Sequence, residues 1–503
     1  MHSRLLITHP ALQAIAALML GLMLPLSMAP FRLWPLIWLS IAGFFVLIHQ
    51  ARSGRQALWL GWVYGAGMYG LGISWVYQSM RTVSTPVPMS LLLTSLFCLG
   101  IALLPMLQAW LYHRYLRAHR AAVWLAAPML WMLFEWLRSW LFTGMPWLLS
   151  GYALTDTPMA QVAAIIGVYG LGTLVVLSAA GLAQAAIQPQ HRSLWLGSSL
   201  ALITLLMAIG WAVPASHWSA PQAEITAVAV QSNVRQADKW AARNVRPTLD
   251  FYARQARLHT EPDLMLWPEA ALTVRPHRIP DWLDELDQMG KNREQAIITG
   301  IITEEAGRYY NALLGFGESE GEYRKQHLVP FGEYLPFEQQ LRGLIEFFSL
   351  PMSTLTPAPE PQQPMLWQRQ DATYRLAPVI CYEAAYPGLV RQLAKESDLM
   401  IMVSNDAWFG DSLAPHQHLQ ITRMRAIENS RAIVRSTQNG ISALIDADGK
   451  VLARSRQFEV AALTGQVTLR QGLTPYQRWG GIGWLLVPTV LVALIAWQSR
   501  RKH

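Results

Sequence analysis

The sequence predicts two architectures in one chain: a polytopic α-helical membrane bundle of about eight spans, and an α/β domain set between the seventh span and the eighth. Three observations carry this. Hydrophobic residues make up 52% of the 503 and charged residues 14%, well under the roughly 25% charged residues of a soluble protein. The apolar residues crowd into 11–214 and 482–497. Between these regions, short β-branched runs alternate with amphipathic stretches, which is the pattern of an α/β domain.

A span needs about 20 mostly apolar residues. Such segments lie at 11–28, 34–49, 57–77, 89–112, 121–142, 159–187, 193–214 and 481–498. Charge placement tests the count. Arg52 and Arg55, then Arg114, Arg117 and Arg120, then Arg192 fall in alternate loops, and Arg500, Arg501 and Lys502 fall in the tail. The other loops hold only Arg32 and Arg81. The basic side is cytoplasmic by the positive-inside rule. Both termini then lie inside and the α/β domain lies outside. Removing one span ahead of the domain would reverse that result. Arg4, an apolar stretch and Ser27-Met28-Ala29 have the outline of a signal peptide. Pro30 follows at once and more spans come after, so a retained first helix is expected. The predicted divisions are a seven-span region at 1–215, an extracytoplasmic domain at 222–470, and a final helix with a basic tail at 478–503.

The net charge of +8 reads as anchoring at helix ends. No long basic patch lies beside stacking aromatics, so no nucleic-acid partner is expected. The two cysteines, Cys98 in an apolar run and Cys381 in the α/β region, are expected to be free thiols. Glu135 and Arg138 stand three apart in the fifth span, at a spacing that allows them to pair. They read either as a structural ion pair or as a polar contact for a lipid headgroup. Trp147, in the following loop, reads as an interface anchor or as the lining of a lipid entrance.

Within the α/β region, strands are expected at Ile225–Val230, Leu264–Trp267, Ile297–Thr303, Tyr310–Gly315, 374–380, Asp398–Val403, Ile441–Ile445 and Val451–Arg454. Helices are expected at 238–259, 281–292, from near Tyr386, and at 415–435. A proline-rich loop at 335–364, with Phe347, Phe348 and Leu350, reads as a lid or as a disordered insertion. Polar residues gather just past strand ends at Glu269, Cys381, Asn405 and Asp406, where α/β folds place their sites. His416 and His418 have no companion ligand cluster, so no metal site is expected. No cofactor is expected either.

Three segments carry chemistry: Leu266-Trp267-Pro268-Glu269, the run from Tyr323 through Lys325 and His327-Leu328-Val329-Pro330-Phe331-Gly332 to Glu333, and Ile380-Cys381-Tyr382-Glu383. Each alone is weak. A lone Cys after a strand, a lone loop Lys or a Pro-Glu pair has a bland explanation. Together, in this order, they resemble the nitrilase superfamily, whose members use Glu, Lys and Cys on a four-layer αββα sandwich. The resemblance covers about 225–470. Fusion to multiple spans, with the stretch Asn405-Asp406-Ala407-Trp408-Phe409-Gly410, resembles the bacterial apolipoprotein N-acyltransferase family.

That resemblance implies Cys381 as nucleophile, Glu269 as general base and Lys325 as the cation that favours the thiolate and holds an oxyanion. The backbone N–H of Tyr382 would help hold the oxyanion. Glu333 would support Lys325, Glu383 would serve the site or the structure around it, and Asn311 would steady it. Trp240, Trp408 and Phe409 are read as substrate contacts or as aromatic packing. The implied donor is a phospholipid and the implied acceptor a diacylated apolipoprotein at the bilayer of the bacterial inner membrane. Two rivals share these residues: a membrane-tethered amidase using water, and a non-enzymatic membrane binding or transport protein.

Overall fold

The computed structural model describes residues 9–334, 355–359, 361–480 and 483–500. The expected lid, with Phe347, Phe348 and Leu350, falls outside the described residues apart from a few at its end, as do Arg4, Arg501 and Lys502. The chain divides into two compact units.

The first unit comprises Met1–Pro214, Asp411–Gln420 and Arg478–His503. It is helical because a run of apolar side chains can bury backbone polar groups only by bonding them internally. Among the described residues, three helices are long and apolar enough to cross a membrane: Val87–Leu116, Pro158–Ile187 and Pro189–Ala212. Shorter apolar helices lie at Pro10–Leu26, Leu36–Gln50 and Leu486–Gln498. Glycine lets Pro10–Leu26 cross Gly54–Gly72 closely. A Cβ on Gly21 would stand 2.1 Å from the Tyr64 carbonyl oxygen, and one on Gly67 2.5 Å from that of Leu18. Such small-residue crossings are how helices associate without a hydrophobic drive between them.

Glu135 and Arg138 are both buried in this unit, but they do not bond each other. Glu135 Oε1 accepts from Trp131 Nε1 at 3.0 Å and from the Ser150 amide at 2.8 Å. Arg138 donates to the Leu148 carbonyl at 3.4 Å and lies over the Tyr69 ring. Glu135 Oε2 and Arg138 Nη1 are buried without a hydrogen-bond partner. Asp411–Gln420 is tied in by side-chain amides. Gln417 Oε1 accepts from Trp147 Nε1 at 2.7 Å, Gln417 Nε2 donates to Gly72 O at 3.1 Å, and Gln420 Oε1 accepts from the Ala29 amide at 3.1 Å.

The second unit, Ala215–Gly410 with Ile421–Gln477, holds two sheets. Its strands are β1 (Ala220–Gln231), β2 (Leu264–Leu266), β3 (Ala296–Glu305), β4 (Arg308–Gly317), β5 (Ser319–Glu320), β6 (Glu322–Arg324), β7 (Met365–Arg369), β8 (Ala372–Ile380), β9 (Leu399–Ser404), β10 (Ile433–Thr437), β11 (Ala443–Ile445), β12 (Val451–Arg454) and β13 (Ala461–Gln471). One sheet runs β13-β1-β2-β3-β4-β6 and the other β12-β11-β10-β9-β8-β7-β5. Central strands in both are parallel: β1 with β2 and β2 with β3, then β8 with β9 and β9 with β10. Ser436 Oγ on β10 donates to Val230 O on β1 at 2.7 Å, joining the two sheets. Helices Val245–Leu258 and Pro280–Lys291 cover the first sheet, where Tyr252 and Leu286 pack with Met265, Trp267 and Ile297. Pro387–Lys395 and the second half of Ala414–Asn429 cover the other. This is the four-layer αββα arrangement.

Several boundaries differ from the sequence reading. The helix expected at 238–259 is broken into Gln236–Lys239, a short turn and Val245–Leu258. The helix expected at 415–435 ends at Asn429, because Ser430 takes φ +50 and the β-branched run after it enters the sheet as β10. β13 went unread, and β1 starts earlier because it pairs β13 from Ala220↔Gln471 to Gln231↔Ala461.

Candidate active site

The polar cluster sits past the carboxyl ends of β2, β8 and β9, with β4 and β6 supplying the remainder. Glu269 rides a turn after β2 in which Ala270 takes φ +44. The turn lies hard against β3, where only glycine fits: a Cβ on Gly300 would meet both Ala270 N and Pro268 O at 2.4 Å. Cys381 follows β8 on a turn spanning Cys381–Ala385 and itself adopts φ +52. A non-glycine residue held in that region stores strain, and such strain gathers at functional sites. Lys325 directly follows β6, its amide donating to Asn311 O at 2.8 Å.

Lys325 is 1% exposed and bridges two carboxylates. Its Nζ donates to Glu269 Oε1 at 3.0 Å and to Glu333 Oε1 at 2.9 Å. The Asn311 amide spans the same pair, at 2.7 Å to Glu269 and 3.0 Å to Glu333. The other oxygen of Glu269 accepts from the Asn405 amide at 2.7 Å, and that of Glu333 from the Val329 amide at 2.7 Å. Glu383 is buried beneath them. It accepts from the amides of Ile380 at 2.8 Å and Gln326 at 2.6 Å, and from the Tyr323 hydroxyl at 3.0 Å. It thereby fastens the turn of Cys381 to the segment of Lys325.

Electrostatics define the protonation states. Burial would raise the Glu269 carboxyl, but the Lys325 charge and hydrogen bond, with help from Lys239 and Asn311, hold it below the usual carboxylate range. Burial would lower Lys325, and the charges of Glu269 and Glu333 overturn that and raise it. Burial and the Glu269 charge push the Cys381 thiol up, against the pull of Lys325. The resting site is therefore a neutral thiol beside a carboxylate and an ammonium. The pull of Lys325 does not offset burial and the Glu269 charge. Burial raises Glu383 to about 7.

Of the softer candidates, Trp240 packs with Leu328 and Leu355, beside the segment that carries Lys325 and Glu333. Tyr382 lies in the turn after Cys381, its ring edge-on to Tyr386 at 5.3 Å. Trp408 and Phe409 are half-buried just past β9. Trp147 belongs to the helical unit, where it is buried against Trp75 and His418. Among the described residues no group of three or more His, Cys, Asp or Glu is arranged to hold a metal ion.

Sequence reasoning missed Lys239, Ser404 and Arg435. Lys239 is buried, with Nζ donating to Glu269 O at 2.9 Å. Burial brings it down to about 8 despite the charges of Glu269 and Cys381. In the sequence it follows Asp238 and reads as an ordinary solvated charge. Ser404 donates to Cys381 Sγ at 3.2 Å; its place, closing an apolar strand just before Asn405, was the available signal.

A buried cysteine and a buried Glu–Lys–Glu cluster on an αββα sandwich form the site of a carbon-nitrogen hydrolase-type domain. Residues 222–472 match the carbon-nitrogen hydrolase family, and residues 20–181 match the apolipoprotein N-acyltransferase N-terminal domain. Proteins named apolipoprotein N-acyltransferase are similar over nearly the whole chain. That of Azotobacter vinelandii is 41% identical, covering 97% of this chain and 95% of its own. That of Vibrio vulnificus is 37% identical, covering 98% and 99%. That of Pseudomonas putida is 39% identical, covering 96% and 95%. The chain belongs to the apolipoprotein N-acyltransferase family and is an enzyme.

Proposed function

We propose that the enzyme moves an acyl chain from a phospholipid to the amino-terminal α-amine of a diacylglyceryl-modified cysteine in a lipoprotein, through a thioester on Cys381. The observation that carries this reading is the buried Lys325 bridging Glu269 and Glu333 beside a protonated thiol. In the first half-reaction Glu269 takes the thiol proton. The sulfur bonds the ester carbonyl carbon, the ester C–O bond breaks, and the leaving alkoxide takes the proton from Glu269. Lys325 and the Tyr382 amide stabilise the oxyanion between these events. In the second half-reaction the amine nitrogen bonds the same carbon. Its proton passes by way of Glu269 to the departing sulfur as the C–S bond breaks.

Glu333 keeps Lys325 charged and placed, while Asn311 keeps the two carboxylates apart and bonded. Trp240, Trp408, Phe409 and Trp147 are assigned to substrate contact, on their aromatic character and, for the first three, their place around the strand ends. The chain is read as eight spans with both termini in the cytoplasm. The divisions are 1–215, 222–470 and 478–503, with the catalytic domain on the periplasmic face of the inner membrane. The odd number of spans before the domain and the alternation of Arg-rich loops support that reading.

Purified protein incubated with acyl-labelled phospholipid is expected to gain one acyl mass, lost on hydroxylamine treatment and absent in Cys381→Ala. Label that never reaches Cys381, with release of ammonia from small amides, would establish the amidase instead.

A further inference from the structure

A second buried chain of polar groups reaches Cys381 from the end of β9. Ser404 Oγ stands 3.2 Å from Cys381 Sγ and 2.6 Å from Asp406 Oδ1. Asp406 Oδ2 is paired with Arg435 Nη2 at 2.9 Å, with neither side chain exposed. Arg435 is fixed in turn. It donates to Ile441 O at 3.1 Å and to Thr422 Oγ1 at 3.0 Å. Gly440 lies directly against Asp406: a Cβ there would come within 2.3 Å of Oδ2.

Ser404 has one hydroxyl hydrogen and two acceptors in reach. The hydrogen can serve only one of them fully at a time. While sulfur is a neutral thiol, or is acylated, the carboxylate at 2.6 Å is the better acceptor. When sulfur carries charge, it competes for the same hydrogen. On the proposed thioester route this happens twice per turnover, once as the nucleophile forms and once as the leaving group departs.

We propose that Ser404 is a positioning residue whose hydroxyl, aimed by the Asp406–Arg435 pair, turns to Cys381 Sγ whenever the sulfur is charged and returns to Asp406 when it is not. This rests on Cys381 being the nucleophile. The hydroxyl already pulls the thiol down against burial and the charges of Glu269 and Asp406. Rotation of one O–H is cheap, since neither heavy atom moves and the carboxylate keeps Arg435 while it waits. The same hydrogen bond then assists thioester formation and its aminolysis, which ordinary nucleophile activation from one side does not do.

The test compares Ser404→Thr with Ser404→Val in the full-length protein carrying Cys98→Ala, so that Cys381 is the single thiol. The two variants share shape and differ in the hydroxyl. The readouts are the rate of iodoacetamide alkylation at pH 8 by intact mass, acyl-adduct formation from phospholipid, and loss of the adduct to an added amine. Threonine is expected to keep all three near the Ser404 protein. Valine is expected to slow each about tenfold, the effect of one charge-assisted hydrogen bond on a thiolate, with a lowered but still cooperative unfolding transition, because Asp406 keeps Arg435. Valine that alkylates and turns over like threonine overturns the proposal. So does Ser404→Ala with undiminished alkylation. A Ser404 protein that forms no acyl adduct removes the nucleophile itself, and is recognised before any variant is compared.

Discussion

Replacing Lys325 by Met removes the one cation shared by Glu269 and Glu333 and leaves a side chain of similar length. The two carboxylates are 5% and 7% exposed at their side chains and stay joined through Asn311. Removing one partner of a buried ion pair costs about 3–5 kcal/mol, and here two acceptors lose the same donor. A loss of about 4 kcal/mol in a domain of this size lowers an unfolding midpoint by roughly 10 °C. The cost depends on pH. Glu269 is held below its ordinary range in the folded protein, so its pairing stabilises above the ordinary carboxylate pKa and is lost as pH falls through the depressed value. In Lys325→Met that contribution is absent, so the midpoint gap between variant and parent is wide at pH 7 and narrows toward acid. Adding Glu333→Gln restores charge balance and recovers part of the midpoint, without recovering acylation. Single-turnover acylation falls by about a thousandfold, because the oxyanion loses a donor and the base loses its charge partner. Thermal unfolding in detergent across pH, with adduct formation by mass, checks each step. A midpoint within 2 °C of the parent at pH 7, or brisk acylation, would refute the assignment of Lys325 as the hub.

Further outcomes follow from neighbouring geometry. Glu383→Ala strips the acceptor from Ile380, Gln326 and Tyr323, and is expected to lower the midpoint and to cut acylation at least a hundredfold. Because Glu383 is raised from 4.5 to about 7 in the fold, the folded state binds more protons across that window. Stability referable to this group therefore declines as pH rises from about 4.5 to about 7, and the decline is absent in Glu383→Gln. Lys239→Met removes a buried ammonium brought down to about 8, so the midpoint at pH 7 is expected to hold or rise, while acylation drops about tenfold as Glu269 loses a second positive neighbour. Gly300→Ala forces a methyl into the Pro268–Ala270 turn and is expected to cost about 1–3 kcal/mol, with the alkylation rate of Cys381 changed because its base has moved.

The chemistry was more legible than the scaffold. Glu269, Lys325 and Cys381 could be read because each sits in a short motif tied to a strand end, and the structure brings their neighbourhoods together. Asn311 and Glu333 were read as supports of the site, Glu333 from its motif, and the structure brings both within hydrogen-bond distance of the cluster. Lys239 was invisible because burial of a lysine is decided by the fold around it. The break at Trp240 escaped because amphipathic spacing continues across it. The strand at Ile433–Thr437 was absorbed into a helix because Ser430, at φ +50, carries no glycine to announce the stop. β13 was lost because its alternating small and polar residues resemble a loop until β1 is laid against it. Glu135 and Arg138 show the opposite case: helical spacing allowed an ion pair, and the two side chains bond other groups instead.

The raised, buried thiol of Cys381 has a consequence for durability. Thiolates, not thiols, are what peroxides and foreign disulfides attack. On the proposed topology the α/β domain faces a compartment where disulfide exchange is constant. A cysteine kept protonated until an ester occupies the site offers almost nothing to those reagents between turnovers. Cys98, the other cysteine in the sequence, is also buried. Under the proposed function and topology, such a sulfur would need neither a resolving partner nor a reductase to restore it.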